Sequence, residues 1–241
     1  PEGVKAFDLY CRLRKRNPAP FAAFLQLGHQ AIASGSPERF LQLQDNHLQA
    51  RPIKGTAPRG QTKAQDAHFA QQLQQSTKDH SENVMIVDLM RNDFSRVCDK
   101  DSVKVSKLCG LESYANVHHL VSVVEGDLQD GLGPVAVLKA SFPGGSITGA
   151  PKVRAMEIIH ALEKAPRGPY CGSMGYISAA GDMDLSILIR SFVIDKDHVR
   201  FQVGGAIVLD SDPQSEYQET LDKASGLIAA LEGEPCYDLV D

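Results

Sequence analysis

Two pairs of acidic residues have a spacing that could hold a metal ion. Asp79 and Glu82 lie three residues apart in one predicted helix, and Glu216 and Glu219 have the same spacing in the last predicted helix. Residues three apart share a helix face, so each pair would present two carboxylates together. Carboxylate oxygens without imidazole or thiolate ligands suit Mg²⁺. The same spacing is common on solvated helix surfaces, so the pattern alone leaves both interpretations open.

A lysine and a glutamate could take part in covalent chemistry. Lys54 lies between a predicted strand end and Gly55, where its amine could act as a nucleophile. Glu38 could protonate a leaving group as a general acid, which requires a raised pKa. A surface lysine and a glutamate paired with Arg39 are the alternatives at these positions.

The segment 143–152 could bind an anion. It reads PGGSITGAPK and places three glycines and the hydroxyls of Ser146 and Thr148 just before a predicted helix that starts at Pro151. Free N–H groups and the helix dipole attract anions at such a position. The segment matches neither of the common nucleotide-binding loops, so a nucleotide is not supported. A helix-entry loop without a ligand is the alternative.

Three further places carry residues that could contact a ligand. His119 precedes an apolar predicted strand, where a core or hydrogen-bonding histidine is the alternative. Arg190 follows the apolar run 185–189, and burying its charge requires a carboxylate of the protein or of a ligand. Gly204 and Gly205 end the next predicted strand and would let a ligand approach the backbone closely.

The elements that must position these residues indicate an α+β fold. Helices are predicted near residues 4–16, 63–77, 79–97, 134–141, 151–163 and 213–231. Strands are predicted near residues 24–27, 31–34, 40–44, 47–51, 103–109, 117–124, 172–179, 184–194 and 198–208, with a loop over 55–62. Antiparallel strands interleaved with long helices predict antiparallel sheets packed with flanking helices, in a single domain over residues 1–241.

Length and composition exclude several classes of protein. The chain has 241 residues, 42% of them hydrophobic and 23% charged, which excludes collagen-like, coiled-coil and disordered chains. A net charge of −5 without a basic block argues against nucleic acid as a partner. The apolar runs are too short to cross a bilayer, so no membrane partner is expected. Scattered cysteines, odd in number, fit a reducing, cytoplasmic compartment. A start at Pro1 without Met suggests a piece of a longer protein.

Ordered sequence blocks over nearly the whole chain resemble the chorismate-utilising enzymes. This family includes anthranilate synthase component I, aminodeoxychorismate synthase component I and the isochorismate and salicylate synthases. The blocks include SPERF, PIKGTAPRG, SENVMIVDLMRNDFSRVC, FPGGSITGAPKVRAMEIIHALE, GSMGYIS, DLSILIR and VGGAIVLDSDPQSEYQET. The resemblance implies the family's fold, two antiparallel sheets with flanking helices around a cleft. Members usually carry a further N-terminal half, so we expect the C-terminal portion, with exposed apolar sheet surface that favours a homo-oligomer.

The resemblance also implies an activity. Lys54 is typical of the aminodeoxychorismate synthase branch, which serves 4-aminobenzoate and folate biosynthesis, whereas anthranilate synthases usually have alanine there. In that branch the lysine attacks C2 of chorismate while Glu38 assists the C4 hydroxyl to leave. Ammonia, supplied by a glutamine amidotransferase subunit, then adds at C4. The alternatives are an anthranilate synthase component I and a non-catalytic fragment that acts only in partner association.

The remaining site residues take their roles from the same resemblance. Glu82 and Glu219 would bind Mg²⁺ directly, and Asp79 and Glu216 would bind it through water. The residues implied to contact the substrate are Tyr170 and Arg190 on the enolpyruvyl carboxylate, the backbone N–H groups of Gly204 and Gly205, Ser146 and Thr148 in the same region, His119 near the ring and Lys223 near the metal.

Overall fold

The computed structural model describes residues 5–114, 117–196, 198–209 and 211–232, and the backbone contacts divide them into two compact units. The first unit contains Pro1–Glu38, Pro166–Met174 and Ser186–Asp241, and the second contains Arg39–Ala165 and Gly175–Leu185. A single domain over residues 1–241 stays a prediction, and its two ends lie outside the described residues.

The described residues contain seven helices and eleven strands. The helices are α1 (Ala6–Arg16), α2 (Lys63–Gln75), α3 (Thr77–Phe94), α4 (Pro134–Ser141), α5 (Gly145–Thr148), α6 (Lys152–Leu162) and α7 (Pro213–Glu232). The strands are β1 (Phe21–Leu27), β2 (Gln30–Ser36), β3 (Arg39–Gln44), β4 (His47–Ala50), β5 (Ile53–Pro58), β6 (Lys104–Ser113), β7 (Val117–Asp127), β8 (Ser173–Ile177), β9 (Met183–Ile187), β10 (Ser191–Asp195) and β11 (His198–Phe201). None of the described helices is both long enough and apolar enough to cross a membrane.

The first unit is built on a four-stranded antiparallel sheet in the order β1–β2–β10–β11. Helix α1 packs on β2 and against α7. The shared core consists of Leu9, Leu13, Ala33, Phe192, Leu227 and Ala230. Its helical members recur at spacings of three and four, which is why one face of each helix is apolar. This core fixes the position of α7, whose first half carries Glu216 and Glu219.

The second unit contains most of a seven-stranded sheet in the order β5–β7–β4–β3–β9–β8, with β6 also paired to β7. Helix α3 packs on β7 and β5 through an apolar face that includes Ile86, Met90 and Phe94. The buried side chain of Asn83 donates a hydrogen bond of 3.2 Å to the Leu120 carbonyl oxygen of β7. Helix α3 is therefore held on the sheet by both apolar packing and a buried polar contact.

The predicted fold class, an α+β protein with antiparallel sheets and flanking helices, is confirmed. The predicted loop over 55–62 is wrong over residues 55–58, because β5 continues to Pro58 and pairs with β7, and it is confirmed over residues 59–62. Gly55 has a φ of +84° and lies where the register shifts, so a residue that looks like a strand breaker forms an irregularity inside the strand. Pro58 is tolerated because β5 ends the strand order of the sheet.

Three predicted boundaries also need correction. The strand predicted over 184–194 is two strands in different sheets, separated at Arg190, which has a φ of +51°. A left-handed residue cannot continue a strand, so Arg190 lies in the turn between them. The strand predicted over 198–208 ends at Phe201. Pro151 caps α6 as its N-cap residue and is not its first helical residue.

Candidate functional site

In the first unit, the predicted substrate residues surround Gly204. A Cβ atom built on Gly204 would lie 3.1 Å from the hydroxyl oxygen of Tyr170. The carbonyl oxygen of Gly204 accepts a 3.1 Å hydrogen bond from Nζ of Lys223. A Cβ atom on Gly205 would lie 3.3 Å from Oε2 of Glu216. The glycine pair therefore brings the backbone within contact distance of three polar side chains. That a substrate binds at this backbone stays a prediction.

Arg190 belongs to the same group. Burial lowers the pKa of its guanidinium, while the nearby Tyr170 and Glu219 partly offset that effect. An arginine remains charged at neutral pH even so. Its backbone conformation is left-handed, and it lies between β9 and β10, which belong to different sheets. A half-buried, permanent positive charge of this kind suits a ligand carboxylate.

Helix α7 carries two of the predicted metal-binding residues, Glu216 and Glu219, and their surroundings differ. Glu216 is 5% exposed, and its Oε1 accepts a 2.6 Å hydrogen bond from the Ser211 hydroxyl. The side chain of Glu219 is 49% exposed and its Oε1 lies 2.5 Å from Nζ of Lys223. The helix begins where Asp212 accepts a 2.9 Å hydrogen bond from the Ser215 backbone N–H, with Pro213 as the first residue.

Glu38, the predicted general acid, is buried in the first unit with 8% exposure. The turn that holds it is closed by backbone contacts. Its N–H donates a 3.3 Å hydrogen bond to the Ser36 hydroxyl, and its carbonyl oxygen accepts one of 3.1 Å from Ile187 N–H. These two hydrogen bonds hold the backbone of Glu38 between β2 and β3.

In the second unit, Lys54 meets the glycine-rich segment. Its Nζ donates a 3.1 Å hydrogen bond to the carbonyl oxygen of Ser146. The next residue, Gly55, packs so closely on α3 that an added Cβ would lie 2.9 Å from the side chain of Asp79. The Ser76 hydroxyl accepts a 3.3 Å hydrogen bond from the Asp79 N–H and so caps the start of α3. The strand that carries the predicted nucleophile therefore packs, through Gly55, against one predicted metal-binding residue.

The segment 143–152 contains the short helix α5 and does not form a single helix-entry loop. A Cβ atom on Gly145 would lie 2.8 Å from a methyl group of Leu89, which explains why the close approach to α3 requires glycine. The Thr148 hydroxyl donates a 2.9 Å hydrogen bond to the Gly144 carbonyl oxygen. The Ser146 hydroxyl is buried without a hydrogen-bond partner among the described residues, as expected for a group that contacts a ligand.

The two adjacent histidines have different surroundings. His118 is buried, with Nε2 3.0 Å from Asp66 and Nδ1 2.7 Å from the Ser113 hydroxyl, which is the structural role left open by the sequence. His119 has its Nδ1 2.9 Å from the Thr56 hydroxyl on the paired strand β5. His119, on β7, thus contacts the strand that carries Lys54.

The four acidic residues predicted to hold Mg²⁺ are divided between the units, Asp79 and Glu82 in the second and Glu216 and Glu219 in the first. Within the described part of the chain, neither unit alone contains three His, Cys, Asp or Glu side chains placed to hold a metal. Glu82 is 8% exposed and Glu216 is 5% exposed, and buried carboxylates suit a hard cation. The metal assignment fits the chemistry of these side chains and stays a prediction.

The sequence reasoning missed two residues that support this site. Thr56 contacts His119, and Lys152 anchors the glycine-rich segment through Asp93. The sequence does contain a signal for Thr56, since it lies two residues after Lys54 and would share its face of an extended strand. Because a loop is expected over 55–62, the strand periodicity is not applied to Thr56.

Comparisons with known proteins show which family the chain resembles. The family model described as "chorismate binding enzyme" matches residues 1–229. The chain is 52% identical over 221 residues to aminodeoxychorismate synthase component 1 of Salmonella typhimurium, covering 92% of this chain and 49% of that protein. It is 49% identical over 226 residues to the protein of the same name from Escherichia coli, covering 94% of this chain and 50% of that protein.

A solved structure shows the same fold. Anthranilate synthase component I from Streptococcus pneumoniae aligns with a TM-score of 0.83 and 39% identity, over 92% of this chain and 49% of that one. The chain spans about half the length of the curated relatives that it matches. Because the family model covers residues 1–229, the chain belongs to the chorismate binding enzyme family.

Proposed function

We propose that this chain carries the catalytic portion of an aminodeoxychorismate synthase component I, which converts chorismate and ammonia to 4-amino-4-deoxychorismate. The observation that supports this most directly is the position of the Lys54 amine, which extends from β5 and lies 3.1 Å from the Ser146 carbonyl oxygen. Relatives that are 52% and 49% identical bear the name aminodeoxychorismate synthase component 1.

The proposed reaction has two displacement steps. The Lys54 amine attacks C2 of the ring, the double bonds shift, and the C4–O bond breaks. Glu38 gives its proton to the departing hydroxyl, which leaves as water. Ammonia then forms a bond to C4, and the double bonds shift back as the C2–N bond to lysine breaks. An ordinary lysine amine is protonated at neutral pH, so a proton must leave Lys54 before it attacks.

Substrate recognition would rest on the group around Gly204. The charged guanidinium of Arg190 and the hydroxyl of Tyr170 would bind the enolpyruvyl carboxylate. The backbone N–H groups of Gly204 and Gly205 would complete that contact, because a side chain at either position would fill the space beside Tyr170 or Glu216. His119, held by Thr56, would face the ring.

Mg²⁺ belongs to the proposal as the cofactor. Glu82 and Glu219 would hold it directly and Asp79 and Glu216 through water, and the bound cation would neutralise the ring carboxylate. The ammonia would come from a glutamine amidotransferase subunit. The pathway would be 4-aminobenzoate and folate biosynthesis, and a cytoplasmic location stays part of the proposal.

The test is an assay with chorismate, Mg²⁺ and ammonium, in which a lyase converts the product to 4-aminobenzoate. We expect 4-aminobenzoate to form only when the lyase is present. The Lys54→Ala variant should lose that product, while Lys164→Ala, which changes an exposed lysine, should keep it. Full product formation by Lys54→Ala would remove the nucleophile assignment.

The alternatives have distinct outcomes in the same assay. Fluorescent anthranilate formed without the lyase would identify an anthranilate synthase. No product, together with a melting temperature that chorismate and Mg²⁺ do not raise, would identify a non-catalytic fragment, because a ligand of the folded state must stabilise it.

A further inference from the structure

A buried ion pair closes the segment that contacts Lys54. Lys152 is the first residue of α6, and its Nζ lies 2.6 Å from Oδ2 of Asp93 in α3. The same Nζ donates a 2.9 Å hydrogen bond to the carbonyl oxygen of Ser141, the last residue of α4. The side chains of Lys152 and Asp93 are only 15% and 8% exposed. One amine thus joins the two ends of the segment 142–151 and attaches them to α3.

Two further contacts hold the segment and the end of α4 against α3 and the residues that follow it. Arg96 donates a 3.3 Å hydrogen bond from Nη1 to the Ala140 carbonyl oxygen, one residue before the point where Lys152 binds. In the middle of the segment, Gly145 packs on Leu89 at a distance that leaves no room for a side chain. The segment is therefore attached near both ends and at its centre, which restricts its movement as a unit.

The segment in turn contacts the amine proposed to react. The Ser146 carbonyl oxygen accepts the hydrogen bond from Nζ of Lys54, and the buried Ser146 hydroxyl has no hydrogen-bond partner among the described residues. A shift of the segment would move this carbonyl away from Lys54 and change where the amine points. Reaction rates depend steeply on such placement.

We propose that Asp93 and Lys152 are positioning residues, which hold the segment 142–151 on α3 so that the Ser146 carbonyl fixes the amine of Lys54. The reactive role of Lys54 belongs to the function proposed above. This inference rests on that function only where it predicts a change in the rate of the synthase reaction. The placement of the Lys54 amine can be tested without any synthase activity.

The test uses a double variant, because removing one partner alone would leave an unpaired buried charge and could unfold the protein. In Asp93→Asn/Lys152→Met both charges are absent. We expect Lys54 to react with an amine-reactive ester about threefold faster than in the unsubstituted chain, the factor for loss of one hydrogen bond. Labelling is read by peptide mass spectrometry and is normalised to that of exposed Lys164.

The matched control removes an exposed ion pair from the same helix. Arg154 lies 2.8 Å from Glu157, and their side chains are 68% and 58% exposed. The double variant Glu157→Gln/Arg154→Met should label Lys54 at the unsubstituted rate. In the synthase assay, kcat of the Asp93/Lys152 double variant should fall about tenfold or more with a smaller change in KM, and the control should keep both values.

If the Asp93/Lys152 double variant folds and its Lys54 is labelled at the unsubstituted rate, the proposal is overturned. If labelling changes and no preparation makes aminated product, the positioning role stands and the proposed function fails. Hydrogen exchange on the unsubstituted chain tests the proposal even if the double variant does not fold. The amide of Gly149 donates to the Gly145 carbonyl oxygen at 3.1 Å, so the segment should exchange slowly. Exchange at the rate of an unstructured peptide would contradict a segment fixed on α3.

Discussion

The side-chain amine of Lys223 lies 2.5 Å from the carboxylate oxygen Oε1 of Glu219. The two residues are one turn apart on α7, so the helix itself brings them together. The same amine also donates a hydrogen bond to the Gly204 carbonyl oxygen. Lys223 therefore links the carboxylate predicted to bind Mg²⁺ with the backbone predicted to bind the substrate, and its positive charge opposes a divalent cation at Glu219.

Substitution of Lys223 should separate these two effects. In Lys223→Met, Mg²⁺ should bind about three- to tenfold more tightly in the absence of chorismate, because a like charge has been removed. The KM for chorismate should rise, since the Gly204 carbonyl loses its hydrogen bond. Isothermal titration with Mg²⁺ and the synthase assay measure the two values, with Lys164→Met as the exposed control. Weaker Mg²⁺ binding by Lys223→Met would contradict the competition.

Gly204 should tolerate no side chain when the substrate binds. The Cβ of Gly204→Ala would lie 3.1 Å from the Tyr170 hydroxyl oxygen, which must move by a few tenths of an ångström. We expect kcat/KM for chorismate to fall about tenfold or more, because Tyr170 and the backbone N–H are displaced together.

The matched control for Gly204→Ala is Gly133→Ala. A Cβ at Gly133 meets nothing within 4 Å, and its φ of −144° suits any residue. This variant should keep full activity, and both variants should keep the far-ultraviolet circular dichroism of the unsubstituted chain. Normal activity in Gly204→Ala would show that the substrate does not bind beside Tyr170.

The sequence predicted most of the elements because their apolar periodicities are strong. Helices α2 and α4 begin where Thr62 and Pro134 indicate, and the last helix begins at Pro213. Two of the failures lie at residues in special backbone conformations. Gly55 and Arg190 both have positive φ. Residue propensities do not distinguish a bulge inside a strand, as at Gly55, from a loop. Nor do they distinguish two strands separated by one residue, as at Arg190, from a single strand.

The candidate site was predictable only in part. Spacing alone suggests the acidic pairs, but the strand that carries Lys54 approaches Asp79 through the packing of β5 on α3, which no local pattern encodes. The group around Gly204 depends on Tyr170, which is distant in sequence. The resemblance to a family supplied those residues. The approach of Glu38 to Lys54 stays a prediction, since the two belong to different units.

Glu112 should make the stability of the second unit depend on pH in the acidic range. Burial alone would raise its pKa, but hydrogen bonds from Lys107 and Tyr114 and the charge of Arg51 lower the pKa to about 2, from an ordinary value of 4.5. The folded state therefore holds the proton less tightly than the unfolded state does. This contribution to stability is complete above pH 4.5 and is lost as the pH falls toward 2.

The variant Glu112→Gln tests that dependence. It should lower the free energy of unfolding by about 1–2 kcal/mol at pH 7 and by less than half of that at pH 3. Urea unfolding at the two pH values gives both numbers. Asp88→Asn, which changes a carboxylate that is 66% exposed, should show little effect at either pH. An equal loss at pH 7 and pH 3 would mean that the charge of Glu112 does not stabilise the fold.

Arg12 should destabilise the first unit. It is 4% exposed, its Nε is buried without a hydrogen-bond partner, and the described residues provide its guanidinium with no ion pair. A buried charge without compensation costs several kcal/mol, and apolar replacements of buried charges are often stabilising. We expect Arg12→Met to raise the free energy of unfolding by about 1–3 kcal/mol, measured by urea denaturation.

The control for Arg12→Met is Arg14→Met on the same helix, where the side chain is exposed. It should change the free energy of unfolding by no more than about 0.5 kcal/mol, because it removes no buried charge. A loss of stability in Arg12→Met larger than that of the control would contradict the prediction. Such a loss would mean that the packing of the buried Arg12 side chain stabilises the fold more than its charge destabilises it.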